Sequence, residues 1–102
     1  MESVEKSSLD VSSGNHIIKF SASWCGPCRV YQPVFVVVLD NKDNVVSHSV
    51  DIDADQNLVS EYGIQSVPTT VFIKDGNVLK TVRGVISASN LHNYIDEQFN
   101  DE

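Results

Sequence analysis

Phe20-Ser21-Ala22-Ser23-Trp24-Cys25-Gly26-Pro27-Cys28 is the stretch on which the reading of this chain turns. Just upstream, His16–Ser21 (HIIKFS) is short, branched and aromatic, and reads as a strand. Downstream, Pro27 suits the first turn of a helix, where its missing N–H is not needed and its fixed φ is already helical. The cysteines therefore fall at a strand-to-helix junction. A helix N-terminus leaves backbone N–H groups unpaired and carries the positive end of the dipole, and both stabilise a thiolate. Spaced three apart, the second cysteine lies within reach of a mixed disulfide formed on the first. The same spacing is half of a zinc site, but four-coordinate zinc needs two further ligands. No second CxxC exists, and His16, His48 and His92 lack the H-x₃₋₅-H spacing, so no metal is expected.

Outward from that junction, Asn44–Asp51 (NVVSHSVD) reads as a second strand. Val46, His48 and Val50 would share one face, and Val45, Ser47 and Ser49 the other. Thr69–Lys74 and Val78–Arg83 flank Asp75-Gly76-Asn77, a hairpin signal. Gln56–Tyr62 is a short helix candidate closed by Gly63. Ser87 or Ser89 can cap a last helix whose Leu91, Tyr94, Ile95 and Phe99 form one apolar face. The order is strand, helix, strand, helix, hairpin, helix, which points to an α/β fold with parallel pairing early and an antiparallel edge. Val34–Leu39 stays undecided at this level. Propensity says strand, while its place after Pro27 says helix.

The whole chain narrows the function classes. Its 102 residues fit one domain, 1–102, long enough to bury a core without disulfide or metal staples. With 7 Lys+Arg against 14 Asp+Glu the formal charge is −7, which argues against nucleic acid and anionic membranes as partners. Met1–Asn15 is polar and holds no apolar signal core, and the longest apolar run, Val34–Leu39, is far too short to span a bilayer. A cytoplasmic, reducing location is expected. Two cysteines cannot form a secreted-type scaffold, so their use is chemical or incidental.

Trp24-Cys25-Gly26-Pro27-Cys28 resembles the active-site signature of the thioredoxin family, and the likeness extends from about His16 to Phe99. It includes Pro33, Val67-Pro68-Thr69, the Lys74-Asp75-Gly76 turn and Gly84. The resemblance implies a thioredoxin fold: a central mixed β-sheet flanked by helices, with Val30–Leu39 inside a long helix that starts at the cysteines. Only 23 residues precede Trp24, so the N-terminal β/α element is expected to be shortened, with Val4, Leu9 and Val11 available for a small covering helix.

The resemblance further implies a protein-disulfide oxidoreductase. Cys25 would be the attacking thiol and Cys28 the resolving one. The redox-active Cys25–Cys28 disulfide would be re-reduced by an NADPH-dependent flavoprotein thioredoxin reductase, with no cofactor bound to this chain. Pro68 would be the family's cis-proline, and Val67 would offer its backbone to an extended substrate segment. Trp24, Gly26, Pro27 and Gly84 would complete the substrate groove. Asp53 matches an aspartate that accepts the Trp24 indole N–H, and reads equally as one solvated acid of the Asp51/Asp53/Asp55 cluster. Partners would be the reductase and disulfide-containing proteins, and the chain mainly a monomer, with Val34–Leu39 as a candidate patch for weak self-association or partner binding. Two rival readings are a binding module that uses the fold as a scaffold and a secretory-type oxidase or isomerase. The Gly-Pro dipeptide between the cysteines weighs against the latter.

Two positions depart from the family pattern. The buried aspartate usual six residues before the first cysteine is Lys19 here, and the lysine that often accompanies it is Ser49. The simpler expectation for Lys19 is a packed stem whose amine snorkels to water. The sharper one is an amine near the dithiol, tuning it. From His16 to Leu39 the chain has no acid, only Lys19 and Arg29, so the −7 spares the dithiol segment. Arg29 and Arg83 would edge the site, or serve as two ordinary surface arginines.

Overall fold

The computed structural model describes residues 9–100. They form β1 (Asn15–Ser21), α1 (Gly26–Asp40), β2 (Val46–Asp51), α2 (Gln56–Tyr62), β3 (Thr69–Lys74), β4 (Asn77–Arg83) and α3 (Ala88–Gln98). The four strands make one mixed sheet in the order β2-β1-β3-β4. β1 runs parallel to β2 and antiparallel to β3, and β4 is antiparallel to β3. The element order is the one expected from the sequence.

β1 is central and covered on both faces, which explains its unbroken apolar run. Ile17 joins Tyr31, Phe35, Val38, Leu91 and Ile95 in the core under α1 and α3. Ile18 and Phe20 point the other way, into the cluster with Val50, Leu58 and Val71 beneath α2. The hairpin is tight because Asp75 and Gly76 both take positive φ, +50° and +84°, the twist that suits a two-residue turn between right-handed strands. Asp75 also clamps the entry to β1. Its Oδ1 accepts from Gly14 N–H at 2.7 Å, and its own N–H donates to the Gly14 carbonyl at 2.9 Å.

α1 settles the ambiguous segment as helix. Cys25 caps it, Pro27 sits in its first turn, and Tyr31, Phe35, Val38 and Leu39 bury one stripe. That burial outweighs the strand propensity of the valines, because most helix stability in a protein comes from packing one face. The opposite face stays apolar and open: Val30 and Val37 are 63% and 62% exposed. The cap residues are Asp55, accepting from Leu58 N–H at 3.2 Å, and Ser87, accepting from Asn90 N–H at 3.2 Å. Gly63 ends α2 at φ +64°.

Two expectations need correction. The covering helix does not form at Leu9 and Val11, which lie outside any helix and pack against the α2-side core, while Val4 lies outside the described residues. β2 begins at Val46 rather than Asn44. Val46 is half exposed because β2 is the edge strand at its start, whereas Val45 turns into the core. On the α2 side, His16 and His48 lie against one another, ring nitrogens 3.0 Å apart. His16 Nε2 faces the Ser13 carbonyl at 2.8 Å. A carbonyl only accepts, so Nε2 carries the His16 proton, and His48 Nε2–H donates to the bare Nδ1 of His16.

Candidate active site

The cysteines hang at the C-terminal end of the central strand, where β1 gives way to α1. A turn closed by Cys25 N–H on the Ala22 carbonyl, at 3.2 Å, brings the chain round into the helix. Cys25 is the helix N-cap, with extended backbone (φ −93°, ψ 112°), and its Sγ accepts from Cys28 N–H at 3.2 Å. Cys25 and Cys28 are joined as a disulfide with Cα atoms 5.3 Å apart. The N–H that now reaches Cys25 Sγ is one of the unpaired donors of the helix terminus, aimed where thiolate charge appears on reduction. Both cysteines are nearly closed off, 5% and 4% exposed, and pack with Ala22, Ile52 and Val67.

The facing wall comes from the loop before β3. The Val67–Pro68 peptide bond is cis. The Val67 carbonyl oxygen lies 3.7 Å from Cys25 Sγ, within reach of a thiol S–H once the pair is reduced. Gly84 ties the end of β4 to this wall, its N–H donating to the Pro68 carbonyl at 2.7 Å. Gly84 holds φ +91°, a left-handed conformation that glycine adopts without penalty. Trp24 stands beside the disulfide, 64% exposed, and its indole N–H donates to Asp53 Oδ2 at 2.8 Å. Asp53 is thus a bonded partner of Trp24 and not a merely solvated acid. The fold brings Trp24, Cys25, Gly26, Pro27, Cys28, Val67, Pro68 and Gly84 to one end of the sheet.

Lys19 overturns the simpler expectation. It is 2% exposed, so its amine does not snorkel to water. Its Nζ lies 5.4 Å from the centre of the Phe35 ring. The strand register explains this: Lys19 stands between Ser49 and Thr70 on the face covered by α1. Burial holds its amine below the usual lysine range. Nζ makes no hydrogen bond to any described residue. On the same face Tyr31 Oη and Thr70 Oγ1 share a hydrogen bond of 2.8 Å, and burial pushes the Tyr31 phenol up to about 12.

One residue of the site escaped the sequence reading. An open cavity of about 400 Å³ beside Cys28 is lined by Ser21, Ala22, Ser23, Arg29, Gln32 and Asp51. Asp51 ends β2 directly opposite Ser21, the last residue of β1. Its carboxylate Oδ1 accepts from Asp53 N–H at 2.9 Å. The available signal was parity: parallel pairing of the two strand ends puts Asp51 beside the cysteine turn. In the sequence it is one acid among three. Arg29 lines the cavity and donates to the Ser23 carbonyl at 2.9 Å. Arg83 lies at the end of β4, opposite Thr69.

Comparison with known proteins bears on this geometry. The family model for thioredoxin matches residues 2–97. Thioredoxin H5 of Arabidopsis thaliana is 41% identical over 68 residues, covering 67% of this chain and 58% of the relative. A thioredoxin of Mycoplasmoides gallisepticum is 36% identical over 75 residues, covering 74% and 75%. The crystal structure of Malassezia sympodialis thioredoxin superposes with a TM-score of 0.78 at 37% identity, over 86% of this chain and 79% of that one. The match to the Arabidopsis proteins thus spans somewhat under two thirds of their length, 58% and 60% for the first two.

Proposed function

The chain belongs to the thioredoxin family, and from that premise we propose that it reduces disulfide bonds in other proteins through Cys25 and Cys28. The observation that carries the reading is the Cys25–Cys28 disulfide at the N-terminus of α1, 3.7 Å from the Val67 carbonyl. In the reduced protein the Cys25 thiolate attacks one sulfur of a substrate disulfide. The substrate S–S bond breaks, and its electron pair leaves on the second substrate sulfur, which takes up a proton. Cys28 then loses its proton and attacks Cys25 Sγ. That step forms the Cys25–Cys28 bond, breaks the mixed disulfide and releases the second substrate thiolate, which is protonated in turn. Two electrons pass from the dithiol to the substrate.

In this reading Val67 presents its backbone to an extended substrate segment as an added strand. Pro68, Trp24, Gly26, Pro27 and Gly84 form the remaining floor and rim of the groove. Asp53 fixes the indole of Trp24 through the 2.8 Å bond. A flavoprotein reductase that draws on NADPH returns the disulfide to the dithiol, and the reducing cytoplasm is the location that suits a reductase. Residues 1–102 would act as one thioredoxin domain.

The test is reduction of insulin by dithiothreitol, followed as turbidity of the precipitating B chain. Intact protein should accelerate it, and a Cys25→Ser/Cys28→Ser double variant should not. A wild type without acceleration would refute the reading, and full activity in the double variant would leave the fold as a scaffold.

A further inference from the structure

The second half-reaction asks for something the fold does not supply in an obvious way. Cys28 must lose a proton before it attacks Cys25, and at 4% exposure it is shielded from bulk water on most sides. Lys19, on the strand beneath, holds its amine over the Phe35 ring, two helical turns along α1 from Cys28, and makes no hydrogen bond to either sulfur. The cavity beside Cys28 offers a different route. Among its lining side chains Ser21, Ser23 and Gln32 are not basic, and the Arg29 guanidinium offers only N–H donors. Asp51 alone presents a basic lone pair there at neutral pH.

Resting on the reductase reading above, we propose that Asp51 is the proton acceptor for Cys28, reached through water in this cavity. The dimensions suit a relay. A volume of about 400 Å³ is roughly 9 Å across, and liquid water takes about 30 Å³ per molecule, so water can bridge sulfur and carboxylate. Asp51 is also held in place. Its Oδ1 accepts from Asp53 N–H at 2.9 Å, and its backbone carbonyl accepts from Ala54 and Asp55 N–H at 3.0 and 3.1 Å. Oδ2 makes no hydrogen bond to any described residue and is the oxygen available to water. The charged and titratable groups around the carboxylate are Arg29 and Cys28 from α1 and Asp53 and Asp55 from the loop after β2.

The step balances. The Cys28 S–H proton passes to water and the water's proton to Asp51, the Cys28 thiolate attacks Cys25, and the proton on Asp51 returns through water to the departing substrate thiolate. Asp51→Asn removes the base while its Oδ1 still accepts the Asp53 N–H, so the turn is preserved.

The experiment traps Cys25 as a mixed disulfide with thionitrobenzoate and follows release of the coloured thiolate as Cys28 attacks. At neutral pH Asp51→Asn should release it at least about tenfold more slowly than wild type, the low end of a positioned base acting through solvent. Its rate should then climb steadily with pH as hydroxide takes over, and Asp51→Glu should restore most of the loss. Alkylation of Cys25 by iodoacetamide, measured in a Cys28→Ser background, should be unchanged by Asp51→Asn. Equal release rates for wild type and Asp51→Asn across the pH range would overturn the proposal while leaving the reductase reading intact. Slowing by Lys19→Met in place of Asp51→Asn would overturn it too, and assign the proton to the amine. A wild type that never releases the chromophore would remove the reductase reading, and this proposal with it.

Discussion

Replacing Lys19 by methionine should make the protein more stable. Methionine keeps the length and most of the volume of the lysine stem, so the packing between Ser49, Thr70 and α1 survives. What is lost is the contact of Nζ with the Phe35 ring, worth about 0.5–2 kcal/mol. What is gained is relief from burying an ammonium at 2% exposure with three donors and no hydrogen-bond partner among the described residues. A buried unpaired donor costs about 1–3 kcal/mol, and exchanging buried ions for apolar residues of similar size has stabilised proteins by about 1–4 kcal/mol. The net expectation is a gain of about 1–3 kcal/mol. On a domain near 100 residues each kcal/mol moves the midpoint by about 4–8 °C, so Tm should rise by at least about 4 °C. Urea unfolding of the oxidised protein, followed by far-UV circular dichroism, reads the same quantity as a higher midpoint with unchanged slope.

The pH dependence gives a second, independent check. Burial holds the Lys19 amine below its unfolded pKa of about 10.4, so between the folded and unfolded values the unfolded chain binds more protons. Wild-type stability therefore rises with pH through that window, as the penalty of the buried charge is lifted. Below the folded pKa the penalty applies in full. The advantage of Lys19→Met should shrink as pH approaches about 10.4. Equal or lower stability of the variant at neutral pH, or a gap that does not change with pH, would refute the reasoning.

Two further outcomes follow from buried polar pairs. Tyr31→Phe leaves Thr70 Oγ1 buried without its 2.8 Å partner, and should lower stability by about 1–2 kcal/mol, read as a lower urea midpoint at constant slope. Burial, and then the neighbouring His16, hold His48 below its usual value, so stability should fall as pH drops through about 6.5 towards the folded-state pKa. His48→Asn should flatten that part of a Tm-against-pH curve, and an unaltered slope would count against the histidine pair as its source.

Most of the fold was legible because local and global signals agree. Asp75-Gly76 demanded a tight turn, Gly63 closed the second helix, Ser87 was one of two candidate caps for the last, and the alternation of strands with helices fixed the parallel pair. The valines of α1 show where local reading stops. Their branching argues for a strand, and only the tertiary stripe of Tyr31, Phe35 and Val38 against Ile17 decides for a helix. Lys19 was misjudged for a related reason. Snorkelling needs a strand face that reaches solvent within a lysine's length, and the width of the cover over β1 is not a property of its own residues. The pair of cysteines was plain from spacing. The hydrogen bond from Trp24 to Asp53, across 29 positions, was one of two open readings, and the placing of Asp51 on the cavity that Cys28 lines depends on strand register, which a single sequence specifies weakly.

The place of β1 at the centre of the sheet has a consequence for how the molecule comes into being. β1 meets β3 across about fifty residues, with Ile18 opposite Val71, and reaches β2 only after the whole of α1 has been laid down. The β3–β4 hairpin is local and closes early, whereas β1 must find both neighbours at long range, the kind of closure that slows folding. The cysteine turn hangs on β1 and its facing wall, Val67-Pro68, leads into β3. The groove is therefore created by long-range contacts, with Cys25 meeting Val67 across 42 positions. Before they form, Cys25 and Cys28 are two ordinary thiols on a flexible strand of polymer, and redox competence should appear with the same time course as the final closure of the sheet.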